Sequence, residues 1–239
     1  MRHRRIALVT GAGKGSGREI ALALARIGAG VAVHYFKNRK AAEDTVRIIR
    51  SKGKTAFAFC ADLGKEMEAA ALVEKVEHKF GRLDILVNNV GPILVKPWAE
   101  LSGADWNKMF RMNLESAFFC LKAALPGMRK RKWGRVINIG YSRAEQLGAF
   151  PTITAYAAAK TSLLILTRTA AVSEVAFGIT VNMVSPGLLE GGILPAGGKF
   201  PKEAVGTYAD VAKAVLYLAS EDAGAVTGTN LIVAGTWKM

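Results

Sequence analysis

Two short stretches carry residue types spaced for chemistry. In Tyr156-Ala157-Ala158-Ala159-Lys160 a phenol and an ammonium stand four residues apart, and on a helix such positions share a face. A cation beside a phenol favours phenolate and draws the tyrosine pKa down from ~10 toward neutrality. The pair then serves as proton donor to a carbonyl oxygen or as base toward an alcohol. Taken alone, such a pair is common on exposed helices. The second stretch, Thr10-Gly11-Ala12-Gly13-Lys14-Gly15-Ser16-Gly17, lies between an apolar run and an amphipathic one. Glycines at that junction let the chain turn sharply and bring backbone N–H groups and a helix N-terminus against a pyrophosphate. The junction, more than the glycines, raises the stretch above a plain connecting turn.

Positioning these groups requires strands and helices in alternation, and the chain provides them. Short apolar runs at 5–10, 30–35, 55–61, 84–88, 135–140, 179–184 and 230–234 read as strands. They lack in/out alternation, as strands covered on both faces do. Helical periodicity fills 17–27, 40–52, 66–80, one long region at 104–131, then 155–176 and 209–220. Ser102 with Asp105 reads as a helix start, and Gly53, Gly81 and Gly178 read as helix stops. The expected fold is α/β: one Rossmann-type domain over 1–239, a doubly wound, seven-stranded parallel sheet flanked by helices. The Gly- and Pro-rich stretch 187–206 is expected to be a loop over the substrate.

The turn TGAGKGSG, with Gly-x3-Gly-x-Gly spacing, resembles that of the short-chain dehydrogenase/reductases, and further motifs extend the resemblance from Ile6 to Gly235. It implies hydride transfer between a nicotinamide cofactor and a carbonyl or alcohol, with Tyr156 and Lys160 catalytic and also touching the cofactor. Gly11, Lys14, Gly15, Ser16 and Gly17 take the pyrophosphate side. Asp62-Leu63 resembles the adenine contact, and Asn88-Asn89-Val90-Gly91 resembles the family's NNAG, with Val90 for Ala. Asn113 matches the asparagine that holds the catalytic lysine through water. Pro186, Gly187 and Leu189 fall where backbone holds the nicotinamide amide. The usual serine on the substrate oxygen is displaced: Tyr141 stands at its position counted from the strand, Ser142 one residue later. Ser142 is the first choice for that role, with Tyr141 as substitute. The second strand ends Tyr35-Phe36-Lys37-Asn38-Arg39 with no carboxylate. A 2′-phosphate needs cations there, so the expected cofactor is NADP(H), held by Tyr35, Lys37, Asn38 and Arg39 with Lys14.

Substrate contacts are expected from Trp98, Tyr141, Arg143 and Phe150, with further walls at 92–98, 143–150 and 188–200. They suit a flat or apolar substrate carrying an anionic group. A 3-oxoacyl thioester on acyl carrier protein is favoured, with Arg129-Lys130-Arg131-Lys132 as landing patch for that acidic carrier. Phe177 stands where related reductases carry a second cation. A pterin is the runner-up, because AVHYFKN resembles the second-strand end of pteridine reductases; a sugar or small alcohol is third. An NADP-binding redox sensor is the non-enzymatic alternative. The family commonly forms homotetramers, and Phe118, Phe119, Leu163, Leu164 and Leu166 are compatible with an interface or with plain core.

Composition narrows the field. With 239 residues, 51% hydrophobic and 22% charged, the chain buries a sizeable core and is not disordered. Two cysteines, Cys60 and Cys120, form no disulfide framework and no metal motif; both lie in apolar runs and are expected to be buried. No apolar run approaches the ~18 residues of a membrane span, and the N-terminus lacks a signal-peptide core, so a cytoplasmic setting is expected. A formal charge of +14 invites nucleic acid as partner. No groove-reading motif accompanies it, so the cations are assigned to a 2′-phosphate, to an acidic carrier and, at Arg2 to Arg5, to solvated surface.

Overall fold

A computed structural model describes residues 4–192 and 200–237. Seven parallel strands form the main sheet: β1 (Ile6–Val9), β2 (Gly30–Tyr35), β3 (Ala56–Cys60), β4 (Ile85–Asn88), β5 (Gly134–Ile139), β6 (Ile179–Pro186) and, after two short strands, β9 (Asn230–Val233). The short strands, β7 (Leu188–Leu189) and β8 (Val205–Gly206), pair with each other in parallel outside the main sheet. Helices α1 (Gly15–Arg26), α2 (Arg39–Ser51), α3 (Glu66–Phe80), α4 (Gly103–Phe110), α5 (Ser116–Arg131), α6 (Thr154–Glu174) and α7 (Tyr208–Ala219) fill the connections.

Neighbouring strands run β3-β2-β1-β4-β5-β6-β9. Strand order reverses between β1 and β4, which opens a crevice beyond their C-terminal ends, where ligands of such sheets bind. The central strands are apolar throughout because both faces are covered. Ala7 and Val9 pack with α1, α2 and α7, whereas Ile6 and Leu8 of the same strand pack with α3 and α5. The period of two is thus present in the packing while absent from the hydropathy.

Several sequence expectations need correction. The long helical region is interrupted by a π-helical turn at Arg111–Glu115. The substrate loop carries β7 and β8, and its residues 193–199 lie outside the described residues, as do 1–3. Cys120 is buried but Cys60 is exposed, because β3 is an edge strand and Cys60 is its last residue. The N-terminal arginines are not merely solvated: Arg4 donates to the Thr55 hydroxyl at 2.6 Å, and Arg5 pairs with Glu221 at 2.5 Å while stacking on Trp133. The Ser102–Asp105 start is a reciprocal capping box, and Gly53, Gly81 and Gly178 all have positive φ at helix ends. No described helix is long and apolar enough to cross a membrane.

Candidate active site

The glycine turn is held from three strands. Thr10 sits at the end of β1, and its hydroxyl accepts from the N–H groups of Asn89 and Val90 at 2.8 and 3.0 Å. Asn89 returns two donations, to the carbonyls of Thr10 and Gly11. His34 of β2 accepts from the Gly11 N–H at 3.0 Å. Sequence reasoning passed over His34 because an isolated histidine in an apolar run reads as filler. Gly11 and Gly15 have φ of 62° and 54°, a region open to glycine at little cost. A Cβ on Gly17 would come within 2.5 Å of the Gly11 carbonyl and the Asn89 amide. The chain therefore turns tightly into α1. That helix starts at Gly15 and Ser16, its N-cap Lys14 makes no side-chain cap bond, and its first turn holds no acidic residue. Free N–H groups without a carboxylate make an anion site, and these residues fit a dinucleotide pyrophosphate.

At the ribose end the picture is mixed. Tyr35 is half-buried and Lys37 exposed. Asn38 caps α2, its side chain accepting from the Ala41 N–H, and Arg39 pairs with Glu43 at 2.7 Å. That pair is exposed and worth little, so Arg39 can exchange it for a phosphate. Lys14 and Lys37 have no ion-pair partner among the described residues. Asp62 accepts from the Gly64 N–H, and Leu63 turns its side chain into the core, leaving only its backbone for a ligand. A groove of about 450 Å³ lies beside them, lined by Phe36, Asp62, Asn107, Lys108, Arg111 and Met112. Its two cations come from α4 and the π-helical turn, which sequence reasoning did not connect with the cofactor.

Two of the candidate catalytic residues, Asn113 and Lys160, close on Gly91. A Cβ placed there would meet Asn113 Oδ1 at 2.6 Å and Lys160 Nζ at 2.7 Å, so the loop after β4, the π-helical turn and α6 converge at one point. Asn113 donates to the carbonyls of Pro92 and Met109, both at 3.0 Å, while its Oδ1 is buried without a hydrogen-bond partner. Lys160 donates to the Ile139 carbonyl at 2.6 Å and lies 5.9 Å from the centre of the Tyr156 ring.

The expected lowering of the phenol pKa is overturned in this structure. Burial, with a smaller contribution from Tyr141, pushes Tyr156 above its ordinary value. Burial also draws Lys160 down to about 7. An ammonium that is itself partly neutralised by desolvation is a weak offset to the same desolvation acting on its neighbour.

Tyr141 follows β5, and its ring stands edge-on to Tyr156 at 5.5 Å and to Phe150 at 6.0 Å. Its hydroxyl is buried with no hydrogen-bond partner, and desolvation raises its pKa to about 12. Ser142 is 7% exposed, and its N–H donates to the Pro186 carbonyl. Arg143 lies over the Phe150 ring. Trp98, 64% exposed, is on the rim, where its N–H donates to the Pro151 carbonyl. Gly187 is bonded to Val233, and Leu189 pairs with Gly206.

The landing patch on α5 is halved. Arg129 is bidentate on Glu174 at 2.7 and 2.5 Å and stacks on Phe177. Arg131 donates to the Leu83 carbonyl and pairs with Glu77. Lys130 and Lys132 remain. Leu163 and Leu164 belong to the core, and Phe119 and Leu166 pack against it; Phe118 is exposed.

Comparison with known proteins agrees with this geometry. The model of a family described as enoyl-(acyl carrier protein) reductase matches residues 11–236. The 3-oxoacyl-[acyl-carrier-protein] reductase FabG of Staphylococcus aureus is 35% identical, with 100% of both chains covered. A blue fluorescent protein from a metagenomic library, solved in complex with NADPH, has a TM-score of 0.88 at 32% identity, with 98% of each chain covered. Acetoin dehydrogenase YohF of Salmonella typhimurium has a TM-score of 0.88 at 28% identity, covering 98% of this chain and 96% of that one.

Proposed function

The chain belongs to the short-chain dehydrogenase/reductase family and is an oxidoreductase acting on CH–OH groups; from that premise we propose that it is an NADP(H)-dependent reductase of 3-oxoacyl thioesters. One observation carries the assignment of roles: Lys160 Nζ and Asn113 Oδ1 both close on Gly91, and Lys160 lies 5.9 Å from the centre of the Tyr156 ring. The first turn of α1 and the Asn89-Val90-Gly91 loop hold the cofactor's pyrophosphate and nicotinamide sides. Lys14, Lys37 and Arg39 hold its 2′-phosphate, a choice supported by the absence of a carboxylate at the end of β2. A bound nicotinamide supplies the hydride acceptor or donor.

Tyr156 carries the proton at its phenol oxygen. In the reductive direction the phenol would pass this proton to the carbonyl oxygen as hydride reaches the carbon, and in the oxidative direction the phenolate would take it from the alcohol. Lys160, fixed by the Ile139 carbonyl, places its charge beside that phenol. Asn113 Oδ1, buried and unpartnered, lies against Gly91 on the same side as Lys160 and is free to accept from a molecule that bridges the two.

For the substrate oxygen we reverse the sequence preference. Tyr141 presents a buried, unpartnered hydroxyl on a ring that stands edge-on to Tyr156; of Ser142 only the backbone N–H is bonded, to Pro186, so its hydroxyl stays the second choice. The orphaned hydroxyl gains a partner only when a substrate oxygen arrives, and an orphan costs about 1–3 kcal/mol until then.

The thioester reading is supported by the FabG relative, and its acidic carrier would meet Lys130 and Lys132. A flat ring, such as a pterin, is the second reading, favoured by the wall of Tyr141 and Phe150. A homotetramer through α5 and α6 is part of the proposal, supported by the exposed Phe118, Ile165 and Val172.

The test is NADPH oxidation with acetoacetyl thioesters, dihydropterins and small diketones, repeated with Tyr156→Phe. The expected result is fastest turnover on the thioester and a loss of about 10³-fold in kcat in the variant. Turnover on none of them by protein that binds NADPH, or full activity in Tyr156→Phe, would sink the reading.

A further inference from the structure

His34 takes part in no step derived above, yet it is 2% exposed and both of its ring nitrogens are engaged. The Gly11 N–H donates to Nδ1 at 3.0 Å, and Nε2 lies 3.1 Å from the Ala61 carbonyl. An amide N–H can only donate and a carbonyl can only accept. The ring is therefore neutral, with its proton on Nε2 and its lone pair on Nδ1. The backbone of the same residue acts on the next position, because the Ala12 N–H donates to the His34 carbonyl at 2.9 Å. One residue of β2 thus fixes two successive residues of the glycine turn and ties them to the end of β3, where Asp62 follows.

We propose that neutral His34 is a positioning residue for the dinucleotide: it sets the glycine turn so that the following N–H groups converge on the pyrophosphate. This rests on the NADP(H) reading. Without the Nδ1 acceptor, the Gly11 N–H loses its bond, and the turn at φ 62° is held from β2 only by the Ala12–His34 backbone bond, with Asn89 alone on the carbonyls of Thr10 and Gly11.

The imidazole stands apart from charge. The ionisable groups on the elements around it are Tyr35 on its own strand, Cys60 and Asp62 at the end of β3, Lys65 and Glu68 at the start of α3, and Lys14 in the turn. Asp62 accepts from Gly64, Glu68 accepts from the Asp62 N–H and from Lys65, and Cys60 faces the Phe36 carbonyl. None of them bonds the ring among the described residues. Burial lowers the His34 pKa to about 4, opposed by the bond to Ala61. The folded value lies below the unfolded ~6.5, so between pH 6.5 and 4 the unfolded chain binds more protons and stability falls as pH falls. From pH 7 to pH 5 this amounts to a shift of about 20-fold in the unfolding equilibrium.

The test uses the full chain, His34→Leu and His34→Asn. Amide hydrogen exchange is followed across residues 10–13 at pH 7.5, NADPH affinity by fluorescence, and urea unfolding at pH 7 and pH 5. In His34→Leu, turn protection is expected to drop tenfold or more and the NADPH Kd to rise tenfold or more. Asn keeps an acceptor oxygen and does not titrate. His34→Asn should bind NADPH within about threefold of wild type while losing the 20-fold acid term. Exchange and Kd within twofold of wild type in His34→Leu would overturn the assignment, as would a tenfold loss of turn protection and NADPH affinity in His34→Asn, which keeps the acceptor, should the leucine variant not fold. If the wild type bound no nicotinamide nucleotide at all, the cofactor reading would fall and this assignment with it; wild-type binding matched by His34→Leu removes only the assignment.

Discussion

The two halves of the crevice are built differently. On the cofactor side, Thr10, Gly11, Ala12, His34, Asn89 and Val90 satisfy one another through a closed set of hydrogen bonds. On the substrate side, the Tyr141 hydroxyl and Asn113 Oδ1 are buried without partners, and the walls are the rings of Phe150 and Trp98 with Arg143, which stacks on Phe150 and donates to Gln146. A satisfied network fixes one geometry at low cost, whereas orphaned groups store free energy that only the right ligand releases. The first half suits a constant ligand, and the second suits discrimination among carbonyl compounds.

The contrast can be broken at three places. Gly17→Ala forces a Cβ to within 2.5 Å of backbone in the closed network. Its NADPH Kd should rise about 100-fold, with a stability loss of about 1–3 kcal/mol seen in urea unfolding. A small effect would show that the network yields, and that the halves differ less than described. Tyr141→Phe removes the substrate-side orphan. It should leave NADPH affinity and stability unchanged or improved, and lower kcat by about 30-fold, while Ser142→Ala costs under about threefold. A larger loss in Ser142→Ala than in Tyr141→Phe would return the role to Ser142. The mildest change is Lys37→Asp, at the exposed edge of the cofactor side. It should weaken NADPH about tenfold and leave NADH nearly unaffected, measured by titration at low salt. Parallel losses for both nucleotides would remove Lys37 from the 2′-phosphate.

Much of the candidate site was legible because its parts are local. The glycine turn, the Tyr156–Lys160 spacing and the Ser102–Asp105 cap each lie within a few residues of chain. What escaped were properties of two distant segments meeting. Arg129 and Arg131 read as a free basic patch until Glu174, Glu77 and the Leu83 carbonyl were brought alongside. Asn113 reads as a residue inside one long helix, and the structure puts it in a π-helical turn with its Oδ1 against Gly91. Cys60 reads as core because its neighbours are apolar, yet its strand lies at the sheet's edge.

The +14 charge shows the same division. Its magnitude belongs to the sequence, and so do the α/β alternation, the reaction class and the proposal of Tyr156 as proton carrier, since each depends on residue type and short spacing. Which cations are spent inside the fold and which face an anion was decided by packing. The direction of the Tyr156 pKa was decided there too: charge at four residues' distance predicts a fall, but desolvation depends on every element around the phenol and acts the other way. Burial is a property of the whole chain's arrangement, and no short stretch of sequence contains it.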